Sequence, residues 1–553
     1  MDIANALIEA LLQRGVGRVY GVPGDYVLGL FDRFEQSPIE MVCTAGEEGA
    51  GFAADAHARL HGLGVAVVTY GVGALKLLNP VAGAYAERSP VLVISGAPGV
   101  RESDEHGLLH HSIRASDTQQ RFFNEVCAET ARLDSGRTAA GDITKVLLAM
   151  QRESRPGYLE LPRDCLARPL PWPLAPLAAP AQAPEPAPLH RQRGEALLSW
   201  LRTRQRPVVL AGIELHRFGL QADLLALLER EGWPFATSLS AKSLLNERHP
   251  LCLGLYEGAA GPAAVREQVE GSDGLLILGM PLQDLDTGIF TMQLNAEQVV
   301  RVEMNQGLRW SQGDLDSLDP VALLQVWKDA PAPKSRSQSL ARPSPVEPVP
   351  FMPATGVEIS VRRLISALNQ RINPDMVVVA DPGDALFAAI DLHLPAASDF
   401  LACGYWASLG FAIPAAIGAW GGSPNPKVKP LVLLGDGSFL MSANELATLA
   451  RYHIPALVVV LDNGGYGTER PMLDGPFNDV QPVDHVALAR AYGFQAARRV
   501  QFEEDLDQAL TSLLALKDGP TLISVELKQG DVSEVLRNLT AALAKRVNPE
   551  TKA

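Results

Sequence analysis

Seven stretches of this 553-residue chain are apolar almost end to end: 64–70, 90–98, 207–213, 274–280, 376–380, 430–434 and 456–461. None shows the in–out alternation of a half-exposed strand. Stretches of helical periodicity separate them, at 77–87, 222–232 and 444–453. Strands that are apolar throughout and joined by helices form parallel sheets covered on both faces. Two proline-rich stretches, 169–188 and 330–353, block both helix and central strand and read as connectors. The expected fold is α/β, with three successive domains at 1–168, 189–329 and 354–553, each a parallel sheet flanked by helices.

Charge and cysteine usage narrow the class. The net charge is −15 with no long Lys/Arg run, which argues against a nucleic-acid partner. Five cysteines without a CxxC pair point to reduced thiols rather than bridges or zinc. The N-terminus lacks the basic and apolar regions of a signal peptide, so a cytoplasmic protein is expected. Residues 400–426 carry no charge, but five glycines and Pro414 make them a buried turn and helix rather than a membrane span.

In doubly wound sheets ligands collect where strands end. Here those ends are GVPGD at 21–25, DPGD at 381–384, GDGS at 435–438 and DNGGYGTE at 462–469. Asn463 follows Asp436 by 27 positions, one helix and one strand, which brings the two strand ends side by side. A carboxylate, an amide oxygen and a backbone carbonyl suit a hard divalent cation that also binds phosphate. Gly437 and Ser438 would offer helix amides to that phosphate. A tight GDG turn beside an unrelated Asx turn is the alternative.

The stretch GDGSFLMSANELATLARYHIPALVVVLDN resembles the signature of thiamine-diphosphate-dependent enzymes. The resemblance implies Mg²⁺ and thiamine diphosphate, with Asp436, Asn463 and the Gly465 carbonyl on the metal. Gly435, Gly437, Ser438, Tyr466, Gly467 and Val72 would contact the cofactor. Asp462 departs from the family's Asn-Asn pair at its first position. Further motifs, GEEGAGFAADAHAR at 46–59, TYGVGALKLLNPVAGAYAERSP at 69–90, LLHHS at 108–112 and YWASLGFAIPAAIGA at 405–419, extend the resemblance to the non-oxidative 2-oxo acid decarboxylases. FAAIDLHLPA at 387–396 is nearest the indolepyruvate branch.

The resemblance assigns roles. Glu47, eight residues before Asp55, is the glutamate that shares a proton with the pyrimidine ring and so favours ylid formation; Glu48 is a bystander. Asp25 with His110 and His111 would protonate the enamine left after CO₂ departs, while His106 is ordinary. Glu469 would face the substrate carboxylate, the competing reading being a solvated ion pair with Arg470. Leu409 would prop the cofactor into its bent shape. Asp381, Pro382 and Gly383 would lie over the aminopyrimidine, with Pro382 removing a polar side chain from the wall.

Gly467 and Thr468 stand where relatives carry larger residues, so an aromatic 2-oxo acid, indolepyruvate or phenylpyruvate, is the expected substrate. Pyruvate, branched or long-chain acids and 2-oxoarginine stay open, as do a carboligase and a non-catalytic homologue. A dinucleotide-binding oxidoreductase lacks its GxGxxG. In the family two chains sandwich the cofactor, which implies a homodimer as the active unit and a homotetramer as the full assembly. The central domain is expected to be structural or effector-binding.

Overall fold

The computed structural model describes residues 1–105, 109–171, 185–328, 330–333, 350–395, 399–423, 425 and 427–547. His106 and Leu108, and most of the two proline-rich stretches, lie outside the described residues.

Three six-stranded sheets follow one another along the chain. The first holds β1 (Arg18–Gly21), β2 (Glu40–Cys43), β3 (Gly64–Val68), β4 (Val91–Ala97), β5 (Glu129–Arg132) and β6 (Gly157–Pro162), in the order β2-β1-β3-β4-β6-β5. The second holds β7 (Pro207–Ala211), β8 (Phe235–Thr237), β9 (Cys252–Leu255), β10 (Gly274–Leu278), β11 (Val299–Glu303) and β12 (Gly307–Arg309), in the order β12-β11-β10-β7-β8-β9. The third holds β13 (Met376–Ala380), β14 (Phe400–Ala402), β15 (Lys429–Gly435), β16 (Leu457–Asp462), β17 (Ala496–Val500) and β18 (Thr521–Glu526), in the order β14-β13-β15-β16-β18-β17. Pairing is parallel except at the edge of the second sheet, where β12 returns antiparallel to β11 after a short turn through Gly307.

The first and third sheets thus repeat one strand order. In each, the chain leaves the first strand to one side and comes back on the other, so a switch point opens between β1 and β3 and between β13 and β15. Crevices at the carboxyl ends of such strands are where α/β folds bind ligands. GVPGD follows β1, DPGD follows β13, GDGS runs on from the last residue of β15, and Asn463 follows β16.

The first and third domains share one core. The helix Glu47–His61 lies along the helix Ala412–Gly422, a contact rich in alanine and glycine. At Gly418 the backbones come so close that a Cβ would sit 1.9 Å from the Ala53 carbonyl oxygen, so only glycine fits. Arg59 fastens the same junction: its guanidinium holds Asp55 through two bonds of 2.9 and 2.6 Å and donates to the Ala402 carbonyl at 2.6 Å. The central sheet keeps its own core around Trp327, Phe235 and Leu276. The uncharged 400–426 stretch resolves into β14, a turn and the Ala412–Gly422 helix. No helix among the described residues is long and apolar enough to cross a membrane. The 444–453 helix is interrupted at its start by a 3₁₀ turn at Ala443–Glu445.

Candidate active site

At the carboxyl ends of β13, β15 and β16 lies a cleft of about 280 Å³. Pro382, Gly383, Leu409, Gly435, Asp436, Gly437, Ser438, Asn463, Gly465, Tyr466, Gly467, Thr468 and Glu469, all expected from the sequence, line it.

Asp436 begins the helix Asp436–Ser442 and is 4% exposed. Its two oxygens accept the amides of Gly437 and Gly464, both at 2.8 Å. Burial pushes its carboxyl up, against the pull of those amides. Beside it, Asn463 Oδ1 is buried and accepts no hydrogen bond. An acceptor oxygen left empty next to a buried carboxylate is costly unless something absent from the chain fills it. A divalent cation fits that pair of oxygen donors in chemistry, and nothing lies within 4 Å of a Cβ built on Gly435, Gly383 or Gly464, which leaves room for a ligand.

Asp462, the departure from the Asn-Asn pattern, has its own partners. Its Oδ2 accepts the Ser524 hydroxyl at 3.3 Å and faces Arg499 at 3.4 Å and His485 at 3.5 Å. Burial would raise this carboxyl, but His485, Arg499 and Ser524 outweigh it and hold it below the usual range. Arg470 pairs with Asp474 and Asp479, and the exposed Glu469 forms no ion pair among the described residues.

Asp381 is fully buried. Its carboxylate accepts the Gly410 amide at 3.0 Å, the Ala412 amide at 2.7 Å and the Ser438 hydroxyl. It is not among the residues lining the cleft, although Pro382 and Gly383 are.

The first-domain residues form a separate group. Glu47, 8% exposed, opens the helix Glu47–His61, and its Oε2 accepts Lys76 Nζ at 2.9 Å. Glu48 turns elsewhere, to Asn79 Nδ2 at 2.8 Å. The turn ahead of Glu47 is fixed by the third domain: Glu445 accepts the amides of Ala45 and Gly46 at 3.2 and 3.0 Å. Asp25 Oδ2 meets His110 Nε2 at 2.8 Å, and Tyr26 Oη meets His110 Nδ1 at 3.2 Å. Side-chain ligand atoms of Asp25, His110 and His111 all lie within 4.8 Å of one another. His111 takes φ 68°, a left-handed conformation rare outside glycine. Val72, 51% exposed, starts the helix Val72–Lys76. Asp25, Glu47, Val72, His110 and His111 do not line the cleft of the same chain.

Two residues of the site carry no sequence signal. Leu285, from the central domain, is one of the residues that line the cleft. Lys76 sits in an ordinary helical stretch and becomes significant only through its contact with Glu47.

Comparison with known proteins gives this arrangement its class. The description "Thiamine pyrophosphate enzyme, N-terminal TPP binding domain" matches residues 1–120, the central domain of the same family matches 195–307, and its C-terminal TPP binding domain matches 381–525. The chain belongs to the thiamine pyrophosphate enzymes, whose cofactor is thiamine diphosphate. Within them it groups with the 2-oxo acid decarboxylases. It is 33% identical over 549 residues to an "Indole-3-pyruvate decarboxylase" of Azospirillum brasilense, covering 97% of each chain. It is 31% identical over 554 residues to an "Alpha-keto-acid decarboxylase" of Mycobacterium leprae, covering 97% of this chain and 94% of that one.

Proposed function

We propose that the chain converts an aromatic 2-oxo acid, indolepyruvate or phenylpyruvate, to the aldehyde and CO₂, using Mg²⁺ and thiamine diphosphate. The observation that carries this reading is the empty Asn463 Oδ1 beside Asp436, in a cleft bounded by Leu409, Tyr466 and Glu469. Asp436, Asn463 and the Gly465 carbonyl would hold the metal. Bound thiamine diphosphate supplies the electron sink for breaking the bond to the carboxylate. Around it, Leu409 would support the cofactor, Glu47 of the facing chain would hold a proton toward the pyrimidine ring, Glu469 would meet the substrate carboxylate, and Asp25 with His110 and His111 would deliver the proton to the product.

An aromatic substrate is supported by the wall. A Cβ on Gly467 would meet only Asn463 Nδ2 at 3.3 Å and Val532 Cγ1 at 3.7 Å, and Leu285, Leu386, Phe387 and Leu461 add apolar surface. A broader 2-oxo acid range is the second reading, favoured by the relatives named alpha-keto-acid decarboxylase.

The separation of Glu47 from the cleft of its own chain supports a homodimer as the smallest active unit, each site drawing Glu47 from one chain and Asp436 from the other; the resemblance extends this to a homotetramer. Exposed apolar side chains lie beside both halves, Val72 on one and Leu440 and Met441 on the other. Five unpaired cysteines suit the cytoplasm.

The test is aldehyde formation, coupled to an alcohol dehydrogenase, from indolepyruvate, phenylpyruvate, pyruvate, branched-chain acids and 2-oxoarginine, with and without Mg²⁺ and thiamine diphosphate. Cofactor-dependent aldehyde, fastest with an aromatic acid, is expected. Aldehyde mainly from pyruvate would refute the substrate, and none from any acid would refute the reaction.

A further inference from the structure

Given thiamine diphosphate in the cleft, and resting on that reading, we infer that Asp381 is a positioning residue that acts on the cofactor through Leu409 rather than by touching it. Its carboxylate joins three pieces of the site. It follows β13, accepts the Gly410 and Ala412 amides that flank the start of the Ala412–Gly422 helix, and accepts the Ser438 hydroxyl from the helix that begins at Asp436. Leu409, the residue that lines the cleft, immediately precedes Gly410, and Gly410 itself sits at φ 86°. The first amides of a helix have no partner within it; Asp381 takes that of Ala412 together with that of Gly410 in the turn before it, and so holds the backbone that carries Leu409.

The arrangement is expensive to keep. Asp381 is fully buried and no ion pair reaches it among the described residues. Burial pushes its carboxyl up to about 7, against the opposing pull of Ala412, Ser438 and Gly410. A carboxyl whose pKa is higher folded than unfolded contributes stability below its unfolded value, and that contribution is lost as pH rises through about 7. Ionising so buried a group costs the fold, and only its three donors offset that cost. A residue kept for packing alone has no reason to carry that charge; a residue that must accept two amides and a hydroxyl at once does.

The experiment compares full-length wild type, Asp381→Asn, Leu409→Ala and the double variant. Three quantities are read: the thermal midpoint of the cofactor-free protein at pH 8, the thiamine diphosphate dissociation constant from tryptophan quenching, and the exchange rate of the cofactor's thiazolium C2 proton by acid quench and NMR. Asn loses one of the accepting positions, so exchange should slow about ten-fold or more. The carboxamide nitrogen faces a backbone amide, so the midpoint should stay level or fall, while cofactor affinity should hold within about three-fold. The double variant should exchange no more slowly than Leu409→Ala, because both changes act at one place. Unchanged exchange in Asp381→Asn, or losses that multiply in the double variant, would overturn the role. Should Asp381→Asn fail to fold, Asp381→Glu keeps the charge but displaces the amides, and normal exchange in it would count against the proposal. A wild type that binds no thiamine diphosphate sinks the functional reading itself, and this role with it.

Discussion

Asn463 presents a buried, unbonded side-chain oxygen next to Asp436, whose own two oxygens are already engaged by the amides of Gly437 and Gly464. Two neighbouring strand ends have therefore built one acceptor that is satisfied and one that waits. If a cation completes the pair, stripping divalent metal with EDTA should release the cofactor, and Mg²⁺ should restore it. Asn463→Ala should lower activity by about 100-fold or more, since loss of even an outer partner costs a metal site 10–100-fold. Full activity in the metal-free protein would rule the site out.

Glu47 and Lys76 share an ion pair with one partner nine-tenths hidden and the other largely exposed, at 10% and 63% side-chain exposure. Glu47→Gln keeps the shape and removes the proton-sharing group. It should cut activity by about 100-fold or more, in the range expected of a general acid–base residue. Lys76→Met should lower the unfolding midpoint of the cofactor-free protein, and that effect should be much smaller in a Glu47→Gln background. Equal effects in both backgrounds would mean that the pair has no energetic coupling.

At Gly467 a new side chain meets Asn463 and Val532 at ordinary or slightly tight distances, so the position has room for a moderate addition. Gly467→Val should reduce kcat/KM for indolepyruvate by about ten-fold relative to that for pyruvate, in line with what a methylene or two of pocket volume is worth. Steady-state rates on both acids decide it. Equal losses on both would show that the position does not discriminate.

Two buried histidines each work against the fold in mild acid. His57, bonded to Tyr20 Oη at 2.8 Å, and His216, beside Arg217, are each pushed down to about 3, chiefly by burial. A histidine that stays neutral when folded takes up a proton on unfolding below about 6.5, so folding weakens by about 1.4 kcal/mol per pH unit for each such group. Asp381 and Asp384, raised by burial to about 7 and about 6, work in the opposite direction over the same window, so the histidine effect is read as a difference between proteins. Between pH 6.5 and 5 the urea midpoint of His57→Gln should gain steadily on that of the wild type, whereas a constant gap would show that His57 does not contribute.

Much of this molecule was legible because apolar runs end in glycine and acid. GDGS, DPGD and DNGG mark the carboxyl ends of β15, β13 and β16 in one dimension, and the strand order then brings them together. What stayed hidden depends on folding in three dimensions. Leu285 reaches the cleft from a different domain, and no local pattern distinguishes it from any loop leucine. Lys76 looks like one more polar residue on a helix. Asp462 reads as a departure from a motif until His485 and Arg499, both distant in sequence, are seen to hold it. The antiparallel return of β12 leaves no mark in the sequence, because three residues after a turn carry too little periodicity to show direction.

The division of Glu47 and the Asp436 cleft has a genetic consequence. On the two-chain arrangement proposed above, a chain disabled at Glu47 and a chain disabled at Asp436 are each inactive as a pure preparation. Mixed dimers of the two concentrate both lesions in one site and leave the other intact. Two null alleles would then complement each other within a single gene, and a cell carrying both would recover activity that neither allele encodes alone.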